Sequence, residues 1–207
     1  MVVLLAAFEP FGGEAINPSW EAARPLAGAF IAGHAVEVVL LPVVFGEAAD
    51  RLAALVEALR PALVLLCGEA GGRAGVTIER VAVNVRDARI PDNAGRQPID
   101  EPVDPTGPAA YFTSIPLRAA VASVREAGIP ADISNSAGTY VCNDCFYASS
   151  HRAALHYPDM RVGFVHVPYA PEQVIDRPGL PSMATDEVIV ALRAVIATSL
   201  GEISAVA

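Results

Sequence analysis

Three side chains of the types that nucleophilic chemistry needs stand far apart in this sequence: Cys142, His166 and Glu79. Cys142 falls in Ser134-Asn135-Ser136-Ala137-Gly138-Thr139-Tyr140-Val141-Cys142-Asn143, where small and hydroxylated residues lead from a short strand into the first turn of a helix. Free amide N–H groups and the positive end of the helix dipole stabilise a thiolate there and can hold an oxyanion. The plainer reading of the same residue is a buried, inert cysteine. His166, in Val162-Gly163-Phe164-Val165-His166-Val167-Pro168, lies near the end of an apolar strand. There it is a packing histidine unless a thiol stands beside it. Glu79 lies in the strand-like stretch Val76-Thr77-Ile78-Glu79-Arg80-Val81-Ala82-Val83-Asn84. A carboxylate buried without a partner costs roughly 3–5 kcal/mol, so Glu79 needs one. Arg80 or Arg73 would give a structural ion pair; a histidine would give Cys–His–Glu.

Two turns and one motif add further possibilities. Phe8-Glu9-Pro10-Phe11-Gly12-Gly13 puts two phenylalanines in a Gly/Pro turn, as a lid on the core edge or as an apolar ligand wall. The turn Gly68 to Arg73 lacks the G-x-G-x-x-G spacing and has no lysine nearby, which argues against a nucleotide site. Cys142-Asn143-Asp144-Cys145 is a C-x-x-C at a helix start, the arrangement of thiol–disulfide exchange. That exchange is the alternative function, although no thioredoxin-sized βαβ context surrounds the motif. His34, His151 and His156 read as surface residues. Neither a metal-ligand spacing nor an H-E-x-x-H helix is present, so no metal and no cofactor are expected.

The elements that must position these groups alternate along the chain. Apolar or β-branched runs predict strands over 2–7, 36–44, 63–67, 76–85, 131–134 and 162–167. Helical spacing and stop signals predict helices opening at Asn17-Pro18 and spanning 47–59, 117–127, 140–155 and 185–200. Residues 91–108, rich in Pro and Gly, read as an irregular loop of the kind that is functional or mobile. The pattern predicts a three-layer α/β/α sandwich with a largely parallel twisted sheet, in a single domain spanning 1–207. In such folds ligands sit beyond the carboxyl ends of the strands.

Composition narrows the function classes. Of 207 residues 53% are apolar and 18% charged, enough for a substantial core. All 14 basic residues are arginine, which excludes a Schiff-base or Walker-type lysine. A net charge of −9 argues against nucleic acid or an anionic membrane as partner. Three cysteines are too few for a disulfide framework, and the apolar N-terminus has no basic lead-in. A cytoplasmic chain is expected.

With these motifs in order, the sequence resembles the pyroglutamyl peptidase I (pyrrolidone-carboxylate peptidase) family of cysteine peptidases over nearly its whole length. The resemblance rests on Phe8 to Gly13, Asn17-Pro18-Ser19-Trp20, Gly71-Gly72-Arg73, the stretch around Glu79, Ala88-Arg89-Ile90-Pro91-Asp92-Asn93, Ser136 to Asn143, and Gly163 to Pro168. It implies Cys142 as nucleophile, His166 as general base and acid, and Glu79 as the group orienting the imidazole. It also implies an oxyanion held by the Cys142 N–H with Arg89. The expected substrates are peptides opening with pyroglutamate, an uncharged lactam. Phe8, Phe11, Tyr140 and Val141 would sandwich the ring, with Asn17 holding the loop and Glu69 in the site. A homo-oligomer, often a tetramer in the family, is implied as well. Two departures stand out. Glu69 replaces the family's usual Gln, and an ionised Glu only accepts hydrogen bonds, so affinity or pH optimum is expected to differ. Ala6-Ala7 replaces the more usual Thr-Gly before the first Phe, which is expected to seat the loop differently.

Overall fold

The apolar runs Val2–Phe8 (β1) and Leu63–Glu69 (β4) are buried along almost their whole length, so both faces must be covered. In the computed structural model, which describes residues 1–201, helices supply that cover. After β1 come α1 (Pro18–Ala23), a 3₁₀ turn at Arg24–Leu26, β2 (Phe30–Ile31), β3 (His34–Leu41) and α2 (Glu47–Leu59). After β4 come β5 (Val76–Glu79), β6 (Val81–Val83), β7 (Ala110–Phe112), α3 (Leu117–Glu126), β8 (Ala131–Ser134), α4 (Val141–His156) and β9 (Arg161–Val167). A 3₁₀ turn at Pro171–Gln173 and α5 (Thr185–Leu200) follow.

The main sheet has seven strands in the order β2-β3-β1-β4-β9-β5-β8. Its centre, β3-β1-β4-β9, is parallel; β2 runs antiparallel to β3, and the β5-β8 pair runs antiparallel to β9. One apolar core lies on the face covered by α1, α3 and α5, the other on the face covered by α2 and α4. This is the expected α/β/α sandwich.

One local expectation needs correction, and two others gain detail. The strand expected over 76–85 breaks at Arg80, and β6 leaves the main sheet to pair with β7. The cause is tertiary: the side chain of the fully buried Asn143, on α4, accepts from Val83 N at 2.9 Å and donates to the carbonyls of Val83 at 2.8 Å and Val85 at 3.0 Å. Loop 91–108 has no regular element, but it is tied down. Asp92 accepts from Phe45 N at 3.0 Å, Asn93 donates to Pro10 O at 2.9 Å, and Arg86 bridges to Glu101. Ala7 is an ordinary strand residue paired with Leu40, and left-handed backbone begins only at Gly12.

The start of α4 is fixed by the residues between its two cysteines. Beside Asn143, Asp144 is fully buried and accepts from Arg86 Nε at 2.6 Å and from Gly46 N at 2.9 Å, joining α4 to the long loop and to the N-terminus of α2. Removing one partner of a buried ion pair costs about 3–5 kcal/mol. At roughly 2–4 °C per kcal/mol for a domain of this size, Asp144→Ala should lower Tm by about 10 °C. A thermal melt followed by far-UV circular dichroism measures this, and a shift under ~2 °C would show that the pair contributes nothing net.

Candidate active site

Sheet register brings the first contacts together. His166 on β9 pairs with Gly68 on β4 and with Thr77 on β5, and all three present the same face, toward α4. Glu79, two residues beyond Thr77, shares that face, and its Oε1 accepts from His166 Nδ1 at 2.7 Å. This hydrogen bond fixes the tautomer and leaves Nε2 as the ring's free nitrogen. Cys142, in the first turn of α4, comes down onto Gly68. A Cβ built at Gly68 would stand 2.9 Å from Cys142 Sγ and 2.9 Å from the Phe164 ring, so only glycine lets the thiol settle beside the strand neighbour of His166. Of the three partners considered for Glu79, the histidine and Arg73 both bind it: Arg73 Nη1 donates to the same Oε1 at 2.7 Å and also to Thr77 Oγ1, whereas Arg80 Nε donates to Asn135 Oδ1 at 2.8 Å.

The charges of these groups follow from burial. Burial alone would raise the Glu79 carboxyl, but hydrogen bonding and charge from His166, with Ser134 and Arg73, outweigh it and hold Glu79 below the usual carboxylate range. Burial pushes the His166 imidazolium down, more than Glu79 pulls it up, and Arg73 adds to the downward push. The Cys142 thiol is pushed up to about 12 by burial, then by the charges of Glu79 and Glu69. Burial and the two carboxylates thus oppose the thiolate that the helix end favours, and they favour a resting thiol beside a neutral imidazole. Such a pair, with the imidazole held by a carboxylate, can transfer an acyl group once the base takes the thiol proton.

The cleft over these groups has a volume of about 610 Å³. Loops from five parts of the chain wall it. Phe11 and Tyr140 stand on one side, their ring centroids 6.0 Å apart, and the Tyr140 hydroxyl donates to Pro91 O at 3.0 Å. Glu69, Gly71 and Tyr169 form the other side, and the exposed Arg89 lies at the rim. Two residues expected in the pocket are elsewhere. Phe8 alternates with Leu4 and Ala6 onto the core face of β1, where its ring stacks on Phe164, 6.3 Å between centroids. Val141 is fully buried in the same core. Asn17 lines no part of the cleft; it caps α1 through Ser19 N at 3.0 Å and donates to Glu9 O at 2.9 Å, which holds the Phe11 loop from behind.

Some contacts were not legible in the sequence. Gln173 Nε2 donates to Glu69 Oε2 at 2.9 Å, so Glu69 pairs with neither Arg73 nor Arg89. Burial raises the Glu69 carboxyl, partly opposed by this bond. Arg177 meets Glu14, which lines the cleft, at 2.6 Å. A Cβ at Gly71 would strike the Tyr169 ring, so this glycine, like Gly68, serves close approach. Cys145 is fully buried in the α4-side core, and all three cysteines are free. No group of three or more His, Cys, Asp or Glu among the described residues is arranged to hold a metal ion. No helix among them is long and apolar enough to cross a membrane.

Comparison with known proteins agrees with this geometry. A family model described as pyroglutamyl peptidase matches residues 1–202. The chain belongs to the pyroglutamyl peptidase family. Among its relatives is a pyrrolidone-carboxylate peptidase of Yersinia pestis, 51% identical over 198 residues that cover 96% of this chain and 92% of the relative. Among solved structures, pyroglutamyl peptidase I of Bacillus amyloliquefaciens superposes with a TM-score of 0.93 at 41% identity, covering 96% of each chain. A variant pyrrolidone carboxyl peptidase of the hyperthermophile Pyrococcus furiosus gives 0.94 at 44%, covering 97% of this chain and 98% of that one. Pyroglutamyl peptidases are cysteine peptidases acting at the N-terminus, and nothing in the comparisons supports thiol–disulfide exchange at 142–145.

Cys142 is the most accessible of the three thiols, and Cys67 and Cys145 are fully buried, which raises their thiols as well. Iodoacetamide should therefore label Cys142 first, as read by peptide mass spectrometry. Only thiolate reacts, so the rate should rise about tenfold per pH unit between pH ~7 and ~9. A rate already on its plateau at pH ~7 would mean a preformed thiolate and overturn the resting state described above.

Proposed function

We propose that this chain hydrolyses the bond between an N-terminal pyroglutamyl group and the next residue, with Cys142 as nucleophile, His166 as base and acid, and Glu79 as the group that orients the imidazole. The observation that carries this reading is the seat of Cys142 Sγ over Gly68, beside a His166 whose Nδ1 is held by a buried carboxylate.

The steps follow from those positions. His166 Nε2 takes the thiol proton as Sγ attacks the pyroglutamyl carbonyl carbon. Negative charge on the carbonyl oxygen meets the Cys142 N–H in the first turn of α4, with Arg89 at the rim as a second donor. The C–N bond breaks as the imidazolium passes its proton to the leaving amine, and a thioester remains. Water then attacks the thioester, His166 takes its proton, and free pyroglutamate leaves as the thiol is restored. Phe11 and Tyr140 offer aromatic faces to the lactam ring. The rest of the cleft has room for downstream residues. The same reading takes the chain as a cytoplasmic homo-oligomer, which light scattering of the purified protein would test.

Release of a chromogenic amine from a pyroglutamyl amide is the direct test. Cys142→Ala should abolish it, whereas Cys145→Ala, in the core, should keep most of it. Equal loss in both would restore the dithiol reading. Glu79→Gln still hydrogen-bonds His166 but stabilises the imidazolium less, so kcat should fall at least ~10-fold with KM little changed.

Glu69 gives a separate expectation. Its charge raises the Cys142 thiol, so it opposes formation of the attacking thiolate. Glu69→Gln removes that repulsion and supplies a donor, worth roughly ten- to a hundred-fold in kcat/KM if about 1.5–3 kcal/mol is recovered. Steady-state kinetics between pH ~6 and ~9 measures this. A lower kcat/KM over the whole range would mean that Glu69 instead accepts a hydrogen bond from the substrate.

A further inference from the structure

Glu79 Oε1 carries an unequal load for one carboxylate oxygen. It accepts from His166 Nδ1 and from Arg73 Nη1, each at 2.7 Å, while Oε2 has no hydrogen-bond partner. Arg73 reaches this point from the β4–β5 turn and lies along the strand, donating also to Thr77, the register partner of His166. The guanidinium thus spans the two β5 residues that flank the imidazole. It is partly exposed and lines the cleft, whereas Glu79 is fully buried.

A carboxylate oxygen shared between two donors gives less to each. Arg73 draws negative charge from the oxygen that supports His166, and its own positive charge stands against the imidazolium. The other charged or titratable groups near the ring are Glu79 from β5 and Cys142 from α4; Glu14, Glu69, Asp87, Arg89, Tyr140 and Tyr169 line the same cleft. Among these Arg73 is the only one whose charge opposes protonation of His166 from within the hydrogen-bonded group.

We propose that Arg73 is a positioning residue that clamps the Glu79 carboxylate and keeps the His166 imidazolium a ready proton donor to the leaving amine. The proposal rests on the peptidase reading above. Glu79 alone would hold the ring but would also hold its proton, and a thioester forms only if that proton reaches the departing nitrogen. Arg73 divides the work: Glu79 orients the imidazole, and Arg73 limits how strongly the carboxylate retains the charge.

The test is Arg73→Gln, with Arg73→Lys as the milder change. His166 titration is followed by NMR of the histidine ring protons, assigned by their absence from His166→Asn. Kinetics compare a pyroglutamyl amide with an activated pyroglutamyl ester, whose leaving group needs no proton. Arg73→Gln should raise the His166 midpoint, and with it the acid limb of kcat/KM, by about one pH unit, because a nearby like charge is removed. At a pH below both midpoints that is about a tenfold loss, since only the neutral imidazole can take the thiol proton. The amide-to-ester rate ratio should fall as well. Arg73→Lys should move both readouts in the same direction by less, because an ammonium cannot copy the planar fork. If Arg73→Gln does not fold, the lysine variant decides. An unmoved titration and an unmoved ratio in a folded variant would reduce Arg73 to a tie for its loop. Were the unmodified protein to hydrolyse neither the amide nor the ester, the peptidase reading would fail, while the His166 titration would still decide the clamp.

Discussion

A carboxylate cannot be buried in a sheet without partners, and the site is organised around that constraint. Glu79 is fully enclosed, yet it remains ionised because His166 and Arg73 converge on it. To meet it, β9 has to lie between β4 and β5, and β5 has to run antiparallel to β9 so that Thr77 and Glu79 flank the histidine. The break in the sheet after Glu79 belongs to the same arrangement. Beyond that residue the chain leaves the main sheet and is taken up by Asn143, which lies next to Cys142.

The two residues inside the C-x-x-C motif show how a short pattern can mislead. Asn143 and Asp144 are buried structural ligands, one for β6 and one for Arg86 and the α2 N-terminus. Cys145 lies one helical turn below, in the core. The motif's spacing is that of a helix whose inner face packs, with Cys142 at the edge of that face. Its apparent redox signature comes from packing, and the reactive position is distinguished by what lies beneath it, the bare backbone of Gly68.

Much of this was legible in the sequence because it depends on period and punctuation. The continuous runs of β1 and β4, the Asn17 cap, and the helices over 47–59 and 185–200 follow from local patterns. So did the three reactive side chains, since a charged or nucleophilic residue at a strand or helix end breaks an otherwise apolar pattern. Local pattern could not show where Phe8 points relative to Phe11: the turn's composition suggested that both were exposed, but strand alternation carries Phe8 into the core. Nor could it show that burial and two carboxylates oppose the helix end at Cys142, because Glu69 and Glu79 come close only through the fold. Gln173, which binds Glu69, is 104 positions away along the chain, with no pattern linking the two.

The insertion of β9 between β4 and β5 also sets when the molecule becomes an enzyme. The proposed nucleophile, the imidazole and its carboxylate belong to segments about 90 residues apart at their extremes, and β9 is the last strand of the sheet to be synthesised. Until it slots in, β4 and β5 have no common neighbour and Cys142 has no base. A growing chain on the ribosome is therefore chemically silent through its first three-quarters. Seating β9 is what joins the three side chains of the proposed site, so turnover would report that the sheet is fully assembled.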